Sequence, residues 1–254
     1  MTKAKMLPKN LSLEGRRVLV TGAASGIGRA ASICLAELGA ELVLTDRGSL
    51  DALQGDVEAA GGRSDALRGD LGDEAFLQKL ISGGPYFSFA NVAGVFKGRD
   101  GDTPTEAFDF VMHVNVRAPL VLATALIDQM GAQGGGYIVL VGSAAGRNGG
   151  ASSGGSTEYA TYAASKGGVH TMVRWLSRRA VGKNVLVNGI APGVVRTPLV
   201  ESVAKNVTFD NSLFPLGRMG EPSELGWPIA LLCSPAASYM SGAVVDVNGG
   251  TFVG

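Results

Sequence analysis

Tyr162 and Lys166 stand four residues apart in the run Tyr162-Ala163-Ala164-Ser165-Lys166. On a helix that spacing puts a phenol and an ammonium on one face, a turn apart. A free phenol ionises near pH 10, and a positive charge about 4 Å away interacts by roughly 4 kcal/mol at an effective dielectric of 20, enough to lower the pKa by about 3 units. The pair is therefore expected to exchange a proton near neutral pH. Taken alone the signal is weak, because helices carry Y-x-x-x-K by chance and Tyr162 by itself reads better as a half-buried packing residue. Tyr159 lacks even this partner, since Ala163 lies four residues on. Whether the pair does chemistry depends on what the rest of the chain sets beside it.

Upstream, Thr21-Gly22-Ala23-Ala24-Ser25-Gly26-Ile27-Gly28 follows an apolar run from Arg16 to Thr21 and opens into a helical pattern from Ala30 to Leu38, ended by Gly39. A strand, a glycine turn and a helix N-terminus together make an anion site, with bare backbone close to the ligand and helix amides and dipole facing a pyrophosphate. The spacing is G-x-x-x-G-x-G rather than the G-x-G-x-x-G dinucleotide fingerprint. A second strand pattern, Glu41 to Thr45, closes on Asp46. A carboxylate there can accept both hydrogen bonds of an adenosine ribose and repels a 2′-phosphate, so NAD is expected over NADP. Ser25 agrees, because the turn holds no arginine or lysine to pair with an extra phosphate. Arg47 complicates this, since a guanidinium folded inward could accept that phosphate.

The elements that must position these groups alternate. Further strand patterns lie at Ser64 to Leu67, Phe87 to Asn91, Tyr137 to Gly142, Val185 to Ile190 and Ala243 to Val247, which makes seven. Long helical patterns fall between them near Thr105 to Met130 and Thr157 to Val181, with another at Pro222 to Cys233. Alternation of this kind predicts an α/β fold, a doubly wound parallel sheet with helices on both faces. Most of the 38 glycines cluster at strand-to-helix turns. The exception is Gly146 to Ser156, a Gly/Ser-rich loop.

Composition bounds the rest. The 254 residues are 46% hydrophobic and 17% charged with zero net charge, and no linker divides them, so one large domain is expected. A neutral balance gives no electrostatic footprint for nucleic acid. No uncharged apolar run approaches 18 residues and Met1 to Asn10 lacks a signal-peptide core, so no membrane association and a cytoplasmic location are expected. Cys34 and Cys233 sit singly in helical patterns and read as small buried hydrophobes, with no metal site.

With Asp70-Leu71, Asn91-Val92-Ala93-Gly94, Asn115, Ser143 and Pro192-Gly193 added in order to the glycine turn, Tyr162 and Lys166, the chain resembles the short-chain dehydrogenase/reductase family from about Arg16 to its C-terminus. The resemblance implies a single Rossmann-type sheet of about seven parallel strands that binds NAD(P) across their carboxyl ends. It divides the chain into an extension at 1–14 and one dinucleotide-binding and catalytic domain at 15–254, with a substrate lid at about 197–214. Carried over by position, Gly22, Ser25, Gly26, Ile27 and Gly28 hold the pyrophosphate, and Asp46 and Arg47 meet the ribose. Asp70 and Leu71 flank the adenine, Asn91, Ala93 and Gly94 line the cofactor, and Pro192, Gly193, Val195 and Thr197 meet the nicotinamide end. Ser143 binds the substrate oxygen, Tyr162 is the acid/base, Lys166 tunes it and holds a ribose, and Asn115 supports a water-linked proton path from the lysine. A homotetramer is also implied.

Three departures accompany the resemblance: Val92 replaces a frequent second asparagine, the interval from Ser143 to Tyr162 is long with its surplus in Asn148 to Ser156, and the N-terminal extension has no counterpart. The expected substrate walls, Val95, Phe96, Ala144, Ala145, Val194, Leu199 and Phe214, are apolar, so a neutral secondary alcohol or ketone of the alcohol or polyol class is expected unless Arg99 or Arg147 turns inward. The alternatives are an NADP-dependent reductase of 3-oxoacyl or other carbonyl groups, and a dinucleotide-binding regulator without turnover. His113 and His170 are read as structural.

Overall fold

The computed structural model describes residues 8–150, 157–204 and 214–254. The Asn148 to Ser156 loop beyond Gly150, and the centre of the expected lid, lie outside them.

Seven parallel strands form one sheet in the order β3-β2-β1-β4-β5-β6-β7. They are β1 (Arg17–Thr21), β2 (Glu41–Asp46), β3 (Arg63–Arg68), β4 (Ser88–Asn91), β5 (Gly136–Val141), β6 (Val185–Pro192) and β7 (Val244–Val247). The strand patterns read from sequence fall within a residue or two of these bounds. Central strands such as β1 and β5 are apolar on both faces because helices cover both, whereas β3, at one edge, alternates charge and is largely exposed.

The helices are α1 (Gly26–Glu37), α2 (Asp51–Ala59), α3 (Glu74–Ser82), α4 (Pro104–Met112), α5 (Ala118–Ala132), α6 (Ala145–Asn148), α7 (Thr157–Ala180), α8 (Pro198–Ala204) and α9 (Pro222–Leu232). One core layer packs α1 and α9 onto the sheet through Leu35, Leu38, Leu225 and Ile229. The other packs α3, α5 and α7 through Leu77, Leu122, Leu126, Val173 and Leu176. Leu13, in the segment read as an extension, is fully buried in the first layer and donates its N–H to Leu38 O at 2.7 Å.

Two boundaries differ from the sequence reading. Helix α1 begins at Gly26 rather than Ala30, because Gly26-Ile27-Gly28 already form its first turn. The helix expected from Thr105 to Met130 is interrupted by a π-helical turn at His113–Arg117, where the Ala118 N–H reaches back to His113 O. Extra residues of this kind inside helices often mark functional sites, and Asn115 sits within this one. The whole segment Pro104–Ala132 is long and apolar enough to cross a membrane by composition, with mean hydropathy 1.6 in its best window. Its inner face is core: Leu122, Ala123, Leu126, Ile127 and Met130 have no exposure.

The sheet order reverses between β1 and β4, and a doubly wound sheet opens its crevice at that switch point, beyond the strands' carboxyl ends. Thr21 ends β1 and Asn91 ends β4. The Thr21 hydroxyl donates to Asn91 Oδ1 at 3.0 Å, so a buried polar strut joins the strands where the crevice opens.

Candidate active site

A cleft of about 1070 Å³ runs along this switch point. At one end lies Asp46, whose carboxylate is oriented by two backbone donors, Ala24 N–H on Oδ2 at 3.0 Å and Gly48 N–H on Oδ1 at 2.9 Å. The middle is the glycine turn and the start of α1. Ser25 occupies the N-cap in extended conformation without making a capping bond, so its side chain does not occupy the first-turn amides. Gly22 takes φ +70° and crosses so close to Ala93 that a Cβ would stand 2.6 Å from its Cα. At the far end Tyr162 and Lys166 face Pro192, Gly193, Val195 and Thr197.

A carboxylate, a run of bare amides and a lysine–tyrosine pair in that order fit an adenosine ribose, a pyrophosphate and a nicotinamide ribose. Gly94 adds to the fit, because a Cβ there would lie 3.0 Å from Lys166 Nζ and 3.4 Å from Asn115 Oδ1. Gly22, Ser25, Gly26, Ile27, Gly28, Asp46, Ala93, Gly94, Tyr162, Lys166, Pro192, Gly193, Val195 and Thr197 thus line one cleft, joined by Val92, Gly142 and Val200, which were not among the expected cofactor residues.

Four expected cofactor residues do not line this cleft. Asn91 is buried in the strut to Thr21. Leu71 is core. Asp70 accepts from Gly72 N–H at 2.8 Å and faces Arg47 at 3.9 Å and Arg99 at 3.8 Å. Arg47 is drawn with Arg99 onto the Phe110 ring rather than into the cleft.

The reacting end is built from four elements. Ser143 follows β5, Tyr162 and Lys166 lie on α7, Asn115 comes from the π turn, and the wall after β6 closes the side. Lys166 is buried and donates to Val141 O at 3.0 Å. Burial pulls its pKa down from 10.5 to about 8, which leaves it mainly charged at pH 7. Tyr162 departs from the sequence expectation: its phenol is held above the usual range, not below it, because burial outweighs everything else and the Ser143 hydrogen bond offsets that only in part. Lys166 Nζ lies 5.7 Å from the centre of the Tyr162 ring, and the ammonium does not overcome the desolvation of the phenolate.

Asn115 uses both of its amide donors. Its Oδ1 accepts from Val95 N–H at 2.8 Å, and its Nδ2 donates to Val95 O at 2.8 Å and to Ser165 Oγ at 3.0 Å. Ser165 in turn donates to Tyr162 O at 2.7 Å. The asparagine therefore ties the loop after β4 to the helix turn carrying Tyr162. Ser165 was missed, although its place one turn from Tyr162 on the same face was the available signal.

A second hollow of about 760 Å³ opens beside Ser143 and Tyr162, lined by Phe96, Ala144, Ala145, Tyr159, Val194 and Leu199 among others. Phe96 packs edge-on against Tyr159 with centroids 4.7 Å apart and tilted against Tyr162 at 5.2 Å. Val95 and Phe214, expected in this wall, do not line it. Val95 is held by Asn115, and Phe214 faces a separate depression with Leu216 and Asn248. Neither arginine turns inward. Arg147 donates to Val244 O at 2.9 Å and pairs with Asp246 at 3.4 Å, and Arg99 lies over Phe110.

A seven-stranded parallel Rossmann-type sheet with this set of residues at its switch point defines a class, and sequence comparison agrees with it. A family model described as enoyl-(acyl carrier protein) reductase matches residues 22–251. A 3-oxoacyl-[acyl-carrier-protein] reductase of Thermotoga maritima is 32% identical, the match covering 96% of this chain and 100% of that protein. Protein FixR of Bradyrhizobium diazoefficiens is 35% identical over 93% of this chain and 87% of its own length. Among solved structures, a 3-oxoacyl (acyl-carrier-protein) reductase from Agrobacterium tumefaciens C58 with NADP bound superposes with a TM-score of 0.83 at 27% identity, covering 98% of this chain and 99% of that one. The chain belongs to the short-chain dehydrogenase/reductase family. It is an NAD(P)-dependent oxidoreductase acting on CH–OH and C=O groups.

Proposed function

We propose that the protein reduces a neutral ketone, with Tyr162 as proton donor, and prefers NADH. The observation that carries this reading is the convergence of Ser143 and Tyr162 where the cofactor cleft meets the apolar hollow; the phenol, held above its usual range by desolvation, is protonated at neutral pH as a free phenol is and can pass its proton to a carbonyl oxygen. The sequence left the direction of reaction open. Reduction agrees with the 3-oxoacyl reductase names of the Thermotoga maritima and Agrobacterium tumefaciens relatives. The apolar hollow, with Arg99 and Arg147 both turned elsewhere, supports a substrate without a carboxylate or phosphate beside its reacting carbonyl.

In this mechanism the Ser143 hydroxyl and the Tyr162 phenol both bind the substrate oxygen, one holding it and the other passing its proton to it. The nicotinamide ring, when bound, supplies the hydride. Lys166, fixed on Val141 O, stabilises the phenolate that Tyr162 becomes. Asn115 and Ser165 keep the Tyr162 turn in register with the loop after β4. Alcohol oxidation is the same sequence reversed, with Tyr162 as phenolate taking the alcohol proton.

The cofactor preference rests on Asp46. Two backbone N–H groups fix its carboxylate at the end of β2, where a 2′-phosphate would meet it, and Arg47 is engaged with Asp70 and Phe110. The test is a panel of neutral ketones, including 3-oxoacyl thioesters, with NADH and NADPH in parallel, and the matching alcohols with NAD⁺ and NADP⁺, all followed at the nicotinamide absorbance. Faster ketone turnover with NADH supports the proposal. Turnover confined to alcohols, or to NADPH, overturns it.

A further inference from the structure

Helix α7 carries three functional groups at four-residue steps along one face, Tyr162, Lys166 and His170, and the last has no part in the mechanism above. His170 is 2% exposed. Its Nε2 accepts the backbone N–H of Ser143 at 3.3 Å. Two residues earlier, Lys166 donates to Val141 O at 3.0 Å. The helix thus grips both sides of Gly142, with a donor on the carbonyl before it and an acceptor on the amide after it.

The glycines on either side of Ser143 make room for this ring. A Cβ on Gly142 would overlap the imidazole, and one on Gly146 would lie 3.0 Å from its Cε1. Burial, and then the positive charges of Arg147, Arg174 and Lys166, hold the His170 pKa down at about 4, so the ring stays neutral and Nε2 keeps its lone pair. An imidazolium would offer a donor where an acceptor is needed.

We infer that His170 is a positioning residue: by accepting the Ser143 N–H it fixes the serine hydroxyl relative to Tyr162, which rides on the same helix. The inference rests on Ser143 holding the substrate oxygen. Misplacing a catalytic group by about 1 Å can cost roughly a hundredfold in rate, so an effect on kcat is expected without one on cofactor binding.

The test compares His170→Leu with His170→Gln, whose amide oxygen can replace the acceptor, each in the natural and in the Ser143→Ala background. Expected in the natural background is a kcat loss of roughly tenfold to a hundredfold for His170→Leu, with the NADH Kd within twofold and most activity regained in His170→Gln. In the Ser143→Ala background His170→Leu should cost nothing further. Equal losses in the two backgrounds, with Ser143→Ala itself impaired, overturn the positioning role alone. Full activity of Ser143→Ala overturns the assignment of Ser143 and the inference with it. Should His170→Leu not fold, nitrogen-15 histidine spectra of the unaltered protein decide. A neutral ring with its proton on Nδ1 from pH 6 to 9 is required, and a protonated Nε2 refutes the inference.

Discussion

Replacing Lys166 by methionine should make the protein more stable at neutral pH while removing its activity. Burial lowers the Lys166 pKa from 10.5 to about 8. At about 1.4 kcal/mol per unit, holding that ammonium inside the fold costs about 3.5 kcal/mol. The sign follows from where the proton sits. Below pH 8 the lysine is charged in both folded and unfolded chains and the whole cost is present; between pH 8 and 10.5 the folded protein sheds the proton first and the cost is relieved. Methionine carries no such cost, but it forfeits the bond to Val141 O, a loss of roughly 1–3 kcal/mol that does not vary with pH. The net gain at pH 7 is therefore about 0.5–2.5 kcal/mol. The more exact quantity is its pH dependence, in which the hydrogen-bond loss cancels: the variant's advantage should shrink by about 2 kcal/mol from pH 7 to pH 9.5. Urea unfolding of both proteins without cofactor, followed by tryptophan fluorescence, measures this directly. An advantage that stays constant or grows with pH would show that Lys166 is not held charged in a desolvated site.

Other expectations follow from single contacts. Thr21→Val removes the hydroxyl that donates to buried Asn91 Oδ1, so the folded state should lose about 1–3 kcal/mol, read as a lower urea midpoint at unchanged m-value. Asp46→Ala should raise the NADH Kd more than the NADPH Kd in fluorescence titrations; equal changes would place the adenosine ribose elsewhere. Gly94→Ala pushes a methyl to 3.0 Å from Lys166 Nζ and should lower kcat with little change in the unfolding midpoint, whereas an unaltered kcat would mean that the crowding is absorbed elsewhere.

The sheet was legible because its signals are local. Apolar runs marked most of the strands, and the groups at strand ends, Asp46 closing β2 and Ser143 beyond β5, inherited their positions from them. The π turn at His113–Arg117 left no such trace, since its residues include no glycine or proline to interrupt the helical pattern. The orientation of Arg147 was equally hidden, because its partners Val244 and Asp246 are remote in sequence. The sign of the Tyr162 shift shows the same limit most clearly. Helical spacing reveals a nearby ammonium, but desolvation comes from the walls that several elements bring together, and here desolvation is the larger effect.

The account turns on Tyr162 as the proton donor at the meeting point of the two hollows, so the decisive measurement is the turnover of Tyr162→Phe. Phenylalanine keeps the ring against Phe96 and removes only the hydroxyl. With the ketone the unaltered protein reduces best, kcat should fall by roughly a hundredfold to ten-thousandfold while the NADH Kd changes less than twofold. Turnover within a few-fold of the unaltered protein, with NADH still bound, would contradict the assignment of the proton to this tyrosine.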